Sequence, residues 1–255
     1  FWPIPVTLST DAATAQGIPN VAVKAQEQAA WWMSATAYTD AAGNFRIFYD
    51  VTAPTNMLLS FDHADYFIEW WNDRADQATA DVIVVSPGAL LTGYDAALVR
   101  GASITGTVTG GGAALASATV NLYDSANPGT VLQQVWTDAA GQYAFRRLNA
   151  GSYLLSFSAT NYITEWYNDA PTSAAAAPIV LPAGGSAVAN AALALGGSIR
   201  GRVTSGAADA PLSGASVLVY DATQTLVGSA TSSWEDGTYT VTGLPTGTFY
   251  VQFSR

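Results

Sequence analysis

The sequence contains no cysteine. Disulfide frameworks and thiolate metal sites are thereby excluded. It has a single lysine, Lys24, and a single histidine, His63. Charged residues make up only 11% of the chain, against about 25% in an average globular protein. The polar surface is therefore left to Thr, Ser, Asn and Gln. The charge that exists is mostly of one sign, 19 acids against 9 bases, for a net charge of −10. Such a surface repels phosphate backbones and anionic membranes, which argues against nucleic acid as a partner. No apolar run is long enough to span a bilayer. The longest tract, Ala174 to Leu195, is broken by Pro178, Pro182, Gly184, Gly185 and Asn190. No Asn-x-Ser/Thr sequon occurs. The start, Phe1-Trp2-Pro3, carries neither an initiator Met nor a signal-peptide pattern, so the chain reads as a mature or trimmed fragment.

Hydrophobic residues are 49% of the 255, enough to build two to three packed cores. They are organised by repetition. Tyr162-Ile163-Thr164-Glu165-Trp166-Tyr167-Asn168-Asp169 nearly copies Tyr66-Phe67-Ile68-Glu69-Trp70-Trp71-Asn72-Asp73, 96 residues earlier. Leu154-Leu155-Ser156-Phe157 repeats Leu58-Leu59-Ser60-Phe61 at the same offset. A fixed period of this length predicts tandem modules. The expected boundaries are 1–100, 101–197 and 198–255, with almost no linker, so that neighbours pack end to end as a semi-rigid rod.

Strand signals dominate each copy. Val217-Leu218-Val219-Tyr220 and Phe249 to Phe253 are short, β-rich and bounded by turn residues. No stretch holds a 3.6-residue apolar period over three turns. Asp40-Ala41-Ala42-Gly43 and Asp138-Ala139-Ala140-Gly141 read as turns, with Asp bonding its own backbone and Gly accepting positive φ. The fold class predicted is all-β. Alternation places Val120, Leu122, Phe145, Leu155, Phe157 and Trp166 in the second core. Val217, Val219, Tyr239, Val251 and Phe253 are expected to be their kin in the third.

The ordered set Ile-x-Gly-x-Val (104–108, and with Arg in place of Thr at 199–203), Ala-x-Val-x-Leu/Val-Tyr-Asp (118–124, 215–221), Asp-x-x-Gly-x-Tyr (138–143) and Leu-x-x-Gly-x-Tyr/Phe (148–153, 244–249) resembles the carboxypeptidase regulatory-like, or transthyretin-like, β-sandwich repeat. The resemblance covers all of copy two, most of copy three and copy one more loosely. It implies tandem seven-stranded Greek-key sandwiches in extracellular bacterial proteins, where such modules serve as spacers, stalks or appendages of glycoside hydrolases. It implies no active site. A related sandwich, the collagen-adhesin B-type repeat, often carries a Lys–Asn isopeptide link from a Lys on the opening strand. Lys24 falls on a second strand and the later copies have no Lys, which argues against that link.

Candidate chemistry is sparse. His63 lies among Asp62 and Asp65, an arrangement that suits a metal or a base, but copy two has Ser158-Ala159-Thr160 in its place. Glu69 and Glu165 recur and invite a general-acid reading. No recurring partner carboxylate is evident for either, and glycosidases need a pair. Trp70 and Trp166 are the expected core residues of the motif. Trp71 and Tyr167 are then the exposed aromatics, placed beside Glu69 and Glu165 to stack on sugar rings or on another subunit. Asp and Asn in the turns are compatible with Ca²⁺, but no Asp-x-Asp-x-Asp-Gly loop is present, so no cofactor is assigned.

The expected protein is a non-catalytic, self-associating stalk, surface-layer or filament region of an extracellular bacterial protein. The alternative is a polysaccharide-binding accessory of a secreted enzyme. Copy three stops at Arg255 without a Glu-Trp strand and without the closing strands, so an incomplete third sandwich is expected. The expectation is that residues outside 199–255 complete it, most simply from a neighbouring subunit. Phe1-Trp2-Pro3-Ile4-Pro5 is a candidate donor, weakened by its prolines.

Overall fold

A computed structural model describes residues 7–206 and 209–255. The proposed donor strand, residues 1–5, lies outside the described residues. Regular secondary structure among the described residues is strand, apart from short 3-10 turns such as Ser173–Ala175. The chain divides into two compact units. One holds the residues up to Ser103 with Arg146–Ala150 and Leu181–Ser186, and the other holds Ile104–Phe145, Gly151–Val180 and Ala187–Arg255.

In the first unit one sheet runs in the order Ser34–Tyr38, Ala22–Glu27, Thr55–Asp62, Glu69–Trp70, and Ile83–Val85 also pairs with Thr55–Asp62. Its companion sheet sets Thr7–Asp11 between Asn44–Phe45 and Ala96–Leu98. The second unit repeats this layout. Asn127–Trp136, Thr119–Asp124, Gly151–Ser158 and Glu165–Trp166 follow one another in one sheet. Ala102–Gly110 pairs in parallel with Ala191–Leu193 in the other, as Thr7–Asp11 does with Ala96–Leu98. The third copy forms a sheet of three, Leu226–Thr231, Ser216–Tyr220 and Tyr250–Ser254, together with a pair, Gly197–Arg202 and Thr238–Leu244. The protein is an all-β structure of β-sandwich type.

Cross-strand register explains the core. Val120 stands opposite Phe157 and Leu122 opposite Leu155. These four and Phe145 are fully buried, as period-2 alternation predicts. Tyr143 lays its ring over Gly106, where a Cβ would lie 2.8 Å from the ring. Its hydroxyl donates to the Ala189 carbonyl at 2.5 Å. This pairing is why a Gly on the opening strand and a Tyr after the Asp turn recur together, and Gly201 and Tyr239 repeat it.

Two core expectations are corrected. Trp166 is half-buried and stands opposite Ser156, which stands opposite Asn121. That row belongs to the outer face, and the Trp166 ring rests there 4.7 Å from Tyr123. Trp70, opposite Ser60 in the Lys24 row, takes the same place in copy one. In copy three Val217 and Val219 are buried, but Phe253 is 49% exposed. Tyr239 and Val251 are half-buried. The Tyr250–Ser254 strand has no described neighbour on its outer side.

A buried hydroxyl closes each copy. Thr39 Oγ1 donates to the Ile18 carbonyl and accepts from the Val21 N–H. Thr137 does the same with Leu115 and Ala118, and Ser232 with Leu212 and Ala215. Each hydroxyl pairs two backbone groups that burial would otherwise leave unsatisfied. The three are 4%, 5% and 1% exposed, so the device is identical in a divergent and in two regular copies.

Candidate functional site

The Glu-Trp motif is the most distinctive recurrent feature, and its local shape follows from the Asn-Asp that ends it. Asn72 and Asp73 both take positive φ, 68° and 56°, as do Asn168 and Asp169 at 66° and 58°. Asn and Asp tolerate the left-handed region better than other residues with a Cβ. Two such residues in succession reverse the chain. Trp70 and Arg74 then exchange both backbone hydrogen bonds, 2.8 and 3.0 Å, as do Trp166 and Ala170. The N–H of the following aromatic donates back to the preceding strand, Trp71 to Leu59 and Tyr167 to Leu155, at 2.9 Å in both cases.

The aromatic assignment from the sequence is therefore reversed. Trp71 is half-buried, packs against the first core and lies 4.7 Å from Tyr94. Tyr167 is half-buried too. Burial and, secondarily, the nearby Tyr167 phenol hold the Tyr143 hydroxyl well above its ordinary pKa. Neither residue forms an exposed stacking platform. Glu69 and Glu165 stand opposite Phe61 and Phe157, so an acid on each Glu-Trp strand faces the side where those fully buried rings lie.

That placement governs their chemistry. Burial, with the Asp73 carboxylate as the lesser cause, raises the Glu69 pKa to about 7. Burial and Asp169 raise that of Glu165, against a lowering hydrogen bond from the Ala192 backbone. The sequence reading found no recurring partner for these acids, yet Asp73 and Asp169 are such partners. They sit four residues on and are turned back by the Asn-Asp reversal. Each pair lines a cleft. That of copy one, about 210 Å³, is lined by Phe67, Glu69, Asp73, Arg74 and Val99. That of copy two, about 510 Å³, is lined by Glu165, Asp169, Leu226, Val227, Gly243 and Pro245. A carboxyl that keeps its proton near neutrality can donate a hydrogen bond to a polar ligand or a backbone carbonyl.

His63 has a structural setting. Its ring packs edge-on to Tyr66 at 5.3 Å, and its Nδ1 accepts from the Asp65 N–H at 3.2 Å. Its carbonyl accepts two hydrogen bonds from Arg147, at 3.2 and 2.8 Å. Asp62 pairs with Arg147 and Asp65 with Arg146, so the carboxylates expected to serve the imidazole are held by guanidinium groups. The turn acids are likewise engaged. Asp40 Oδ1 accepts from the N–H groups of Ala42 and Asn44, and Asp138 Oδ1 from those of Ala140 and Gln142. Among the described residues no group of three or more His, Asp or Glu is arranged to hold a metal ion. No described helix is long and apolar enough to cross a membrane.

Beside each Glu-Trp strand lies a joint that sequence reading missed. In the first unit the Phe67 N–H donates to the Val99 carbonyl at 3.0 Å and the Gly101 N–H to that of Asp65 at 3.0 Å. In the second unit the Ile163 N–H donates to Ala194 at 2.9 Å and the Gly196 N–H to Asn161 at 2.9 Å. Tyr66 bridges Arg100, and Tyr162 bridges Leu195. The glycine is required by a close approach in both places. A Cβ on Gly101 would lie 2.4 Å from the Arg147 Cα, and one on Gly196 2.4 Å from the Gly243 Cα. Arg147 and Gly243 themselves share positive φ, 56° and 74°. The only primary-structure trace of all this is a glycine at each expected boundary, too common a signal to read alone.

No curated protein sequence matches the chain. Among solved structures, a streptococcal ancillary pilin is 11% identical with a TM-score of 0.35, covering 98% of this chain and 90% of that one. The major pilin subunit BcpA of Bacillus cereus is 10% identical with a TM-score of 0.30, covering 99% and 87%. The Bacillus anthracis TIE protein is 13% identical with a TM-score of 0.30, covering 98% of this chain, which spans 46% of the length of that protein. The carboxypeptidase regulatory-like domain family matches residues 103–194 and 198–255. These two segments are more than half of the sequence and coincide with the copies whose Gly–Tyr pairs and buried hydroxyls are described above. The chain belongs to the carboxypeptidase regulatory-like domain family.

Proposed function

We propose that the chain is a non-catalytic structural region of an extracellular bacterial surface protein, a stalk, surface layer or filament subunit built by stacking modules 1–100, 101–197 and 198–255. The observation that carries this reading is the recurrence of the joint. The same backbone donors, the same acceptors and the same glycine contact connect one copy to the next in both places. A binding module needs no fixed attitude to its neighbour, whereas a load-bearing stack does. The low charge agrees with a structural role. In this reading the outer edge of Tyr250–Ser254 receives a further strand by β-augmentation, in the way Glu69–Trp70 and Glu165–Trp166 cover the edges of their own copies.

The experiment has two parts. On intact cells of the source organism the protein is expected to be cut by externally added protease and labelled by antibody, while a cytosolic marker is spared. The purified chain is expected to hydrolyse no glycoside, ester or peptide. A protein found only inside the cell, or an activity lost in Glu165→Gln with folding intact, overturns the proposal.

A further inference from the structure

The sheet of copy two ends at Asn127–Trp136, which pairs on one side only among the described residues. An unpaired strand edge is a template for another strand, and natural sheets blunt it with lysine, other charges or proline. This strand reads Asn-Pro-Gly-Thr-Val-Leu-Gln-Gln-Val-Trp and carries no charge at all. Pro128 and a register irregularity opposite Leu122 and Tyr123 confine regular pairing to its second half. That half exposes apolar side chains, with Val131 at 46%, Leu132 at 51% and Trp136 at 64%. The corresponding edges of the other copies, Ser34–Tyr38 and Leu226–Thr231, are also unpaired on their outer side and free of charge.

The occupant is indicated by charge and by self-complementarity. Two copies of a chain with net charge −10 repel over most of their surface, so they approach each other best along an uncharged strip. The edge also matches itself. An antiparallel pairing centred on Gln134 sets Leu132 of one copy opposite Trp136 of the other, twice, with Gln133 opposite Val135 and Gln134 opposite its own counterpart. Apolar and aromatic pairs directly across a sheet are the stabilising unit of strand association, and a contact in which each residue meets its exchange partner closes as a two-fold dimer. We infer that the Val131–Trp136 edge joins two copies of this chain side by side through an antiparallel strand pair centred on Gln134. The inference stands apart from the stacking proposed above, which uses other residues and other contacts.

The test uses the whole chain. Sedimentation equilibrium at concentrations up to about 0.5 mM is expected to show a reversible dimer, and Gln134→Lys and Gln134→Glu are each expected to weaken it by about tenfold through like charges at the centre. Gln134 is exposed, so unchanged thermal unfolding will show that both variants fold. An equimolar mixture of the two variants is expected to restore association as a heterodimer. A chain that stays monomeric over the whole range overturns the inference. So does association that both variants leave unchanged, which would place the contact elsewhere, for instance on Tyr250–Ser254, without touching the structural reading. Failure of the mixed variants to pair overturns the two-fold register.

Discussion

Phe157 and Phe253 occupy the same place in two copies of one module. Each stands opposite a buried valine, Val120 for Phe157 and Val217 for Phe253. Each meets a tyrosine edge-on, Tyr143 at 5.9 Å and Tyr239 at 5.6 Å. Yet Phe157 is fully buried and Phe253 is 49% exposed. The difference lies in the strands beside them: Glu165–Trp166 and Ile179–Leu181 both pair with the strand that carries Phe157, whereas the strand of Phe253 has no described partner on its outer side. Glu165 stands opposite Phe157, and no described strand takes that place beside Phe253. The comparison teaches that the inner layer of this sandwich forms from the two-strand register alone, while exclusion of water from it depends on the strand added at the edge.

Truncating the two rings is the strongest way to break the comparison. Phe157→Ala is expected to destabilise copy two by about 3–5 kcal/mol, the cost of deleting a fully buried phenyl ring. Phe253→Ala is expected to cost about 1 kcal/mol, because half of its surface already meets water. Hydrogen exchange of the Thr119–Asp124 and Ser216–Tyr220 amides reads each copy separately. Equal losses would mean that Phe253 is covered in solution.

The buried hydroxyls sharpen the comparison from the other side, since the device is shared. Thr137→Val and Ser232→Ala each leave a backbone N–H and a carbonyl without their partner, at about 1–3 kcal/mol. The two copies are expected to lose the same amount by the same exchange measurement. A clear loss in copy two alone would mean that the third copy is open to water as far as Ser232.

The smallest effect is one of pH. Glu69 and Glu165 have raised pKa values in the folded protein, so the folded state holds protons that the unfolded chain releases. Stability from these groups is present at low pH and is lost as pH rises from the unfolded pKa, about 4.3, through the folded one, about 7 for Glu69. With solvent screening allowed for, the change is on the order of 1 kcal/mol for Glu69, and of the same sign for Glu165. Relative to the intrinsic exchange rate at each pH, the protection of the Thr55–Asp62 and Gly151–Ser158 amides is expected to fall over that range, and that of Tyr250–Ser254 to stay flat. Glu69→Gln and Glu165→Gln are expected to remove the dependence, and its survival in both variants would clear these acids.

These contrasts show what the primary structure discloses. The period of 96, the all-β class and the burial of Val120, Leu122, Phe145, Leu155 and Phe157 were legible because alternation and turn chemistry act over a few residues. The facing of the Glu-Trp motif was not, because it depends on which residue of a distant strand stands opposite. One step of register exchanges Trp166 with Tyr167 between the two faces. Asp73 and Asp169 were overlooked as partners of the glutamates because two successive left-handed residues bring them back, which strand periodicity does not encode. The buried Thr39, Thr137 and Ser232 were hidden among many turn hydroxyls, and the part of the joint that recurs is written in main-chain atoms.

That last property bears on descent. The part of the joint common to both places is made of peptide groups and asks nothing of side chains except a missing one at Gly101 and Gly196, although Arg146 and Arg147 add side-chain contacts to the first. In the proposed stack, copies that keep these peptide contacts and the glycine can diverge elsewhere at their surfaces. In that stack an in-frame duplication or deletion of one period would carry the shared peptide coupling with it, so the number of copies could change between related chains in a single genetic event.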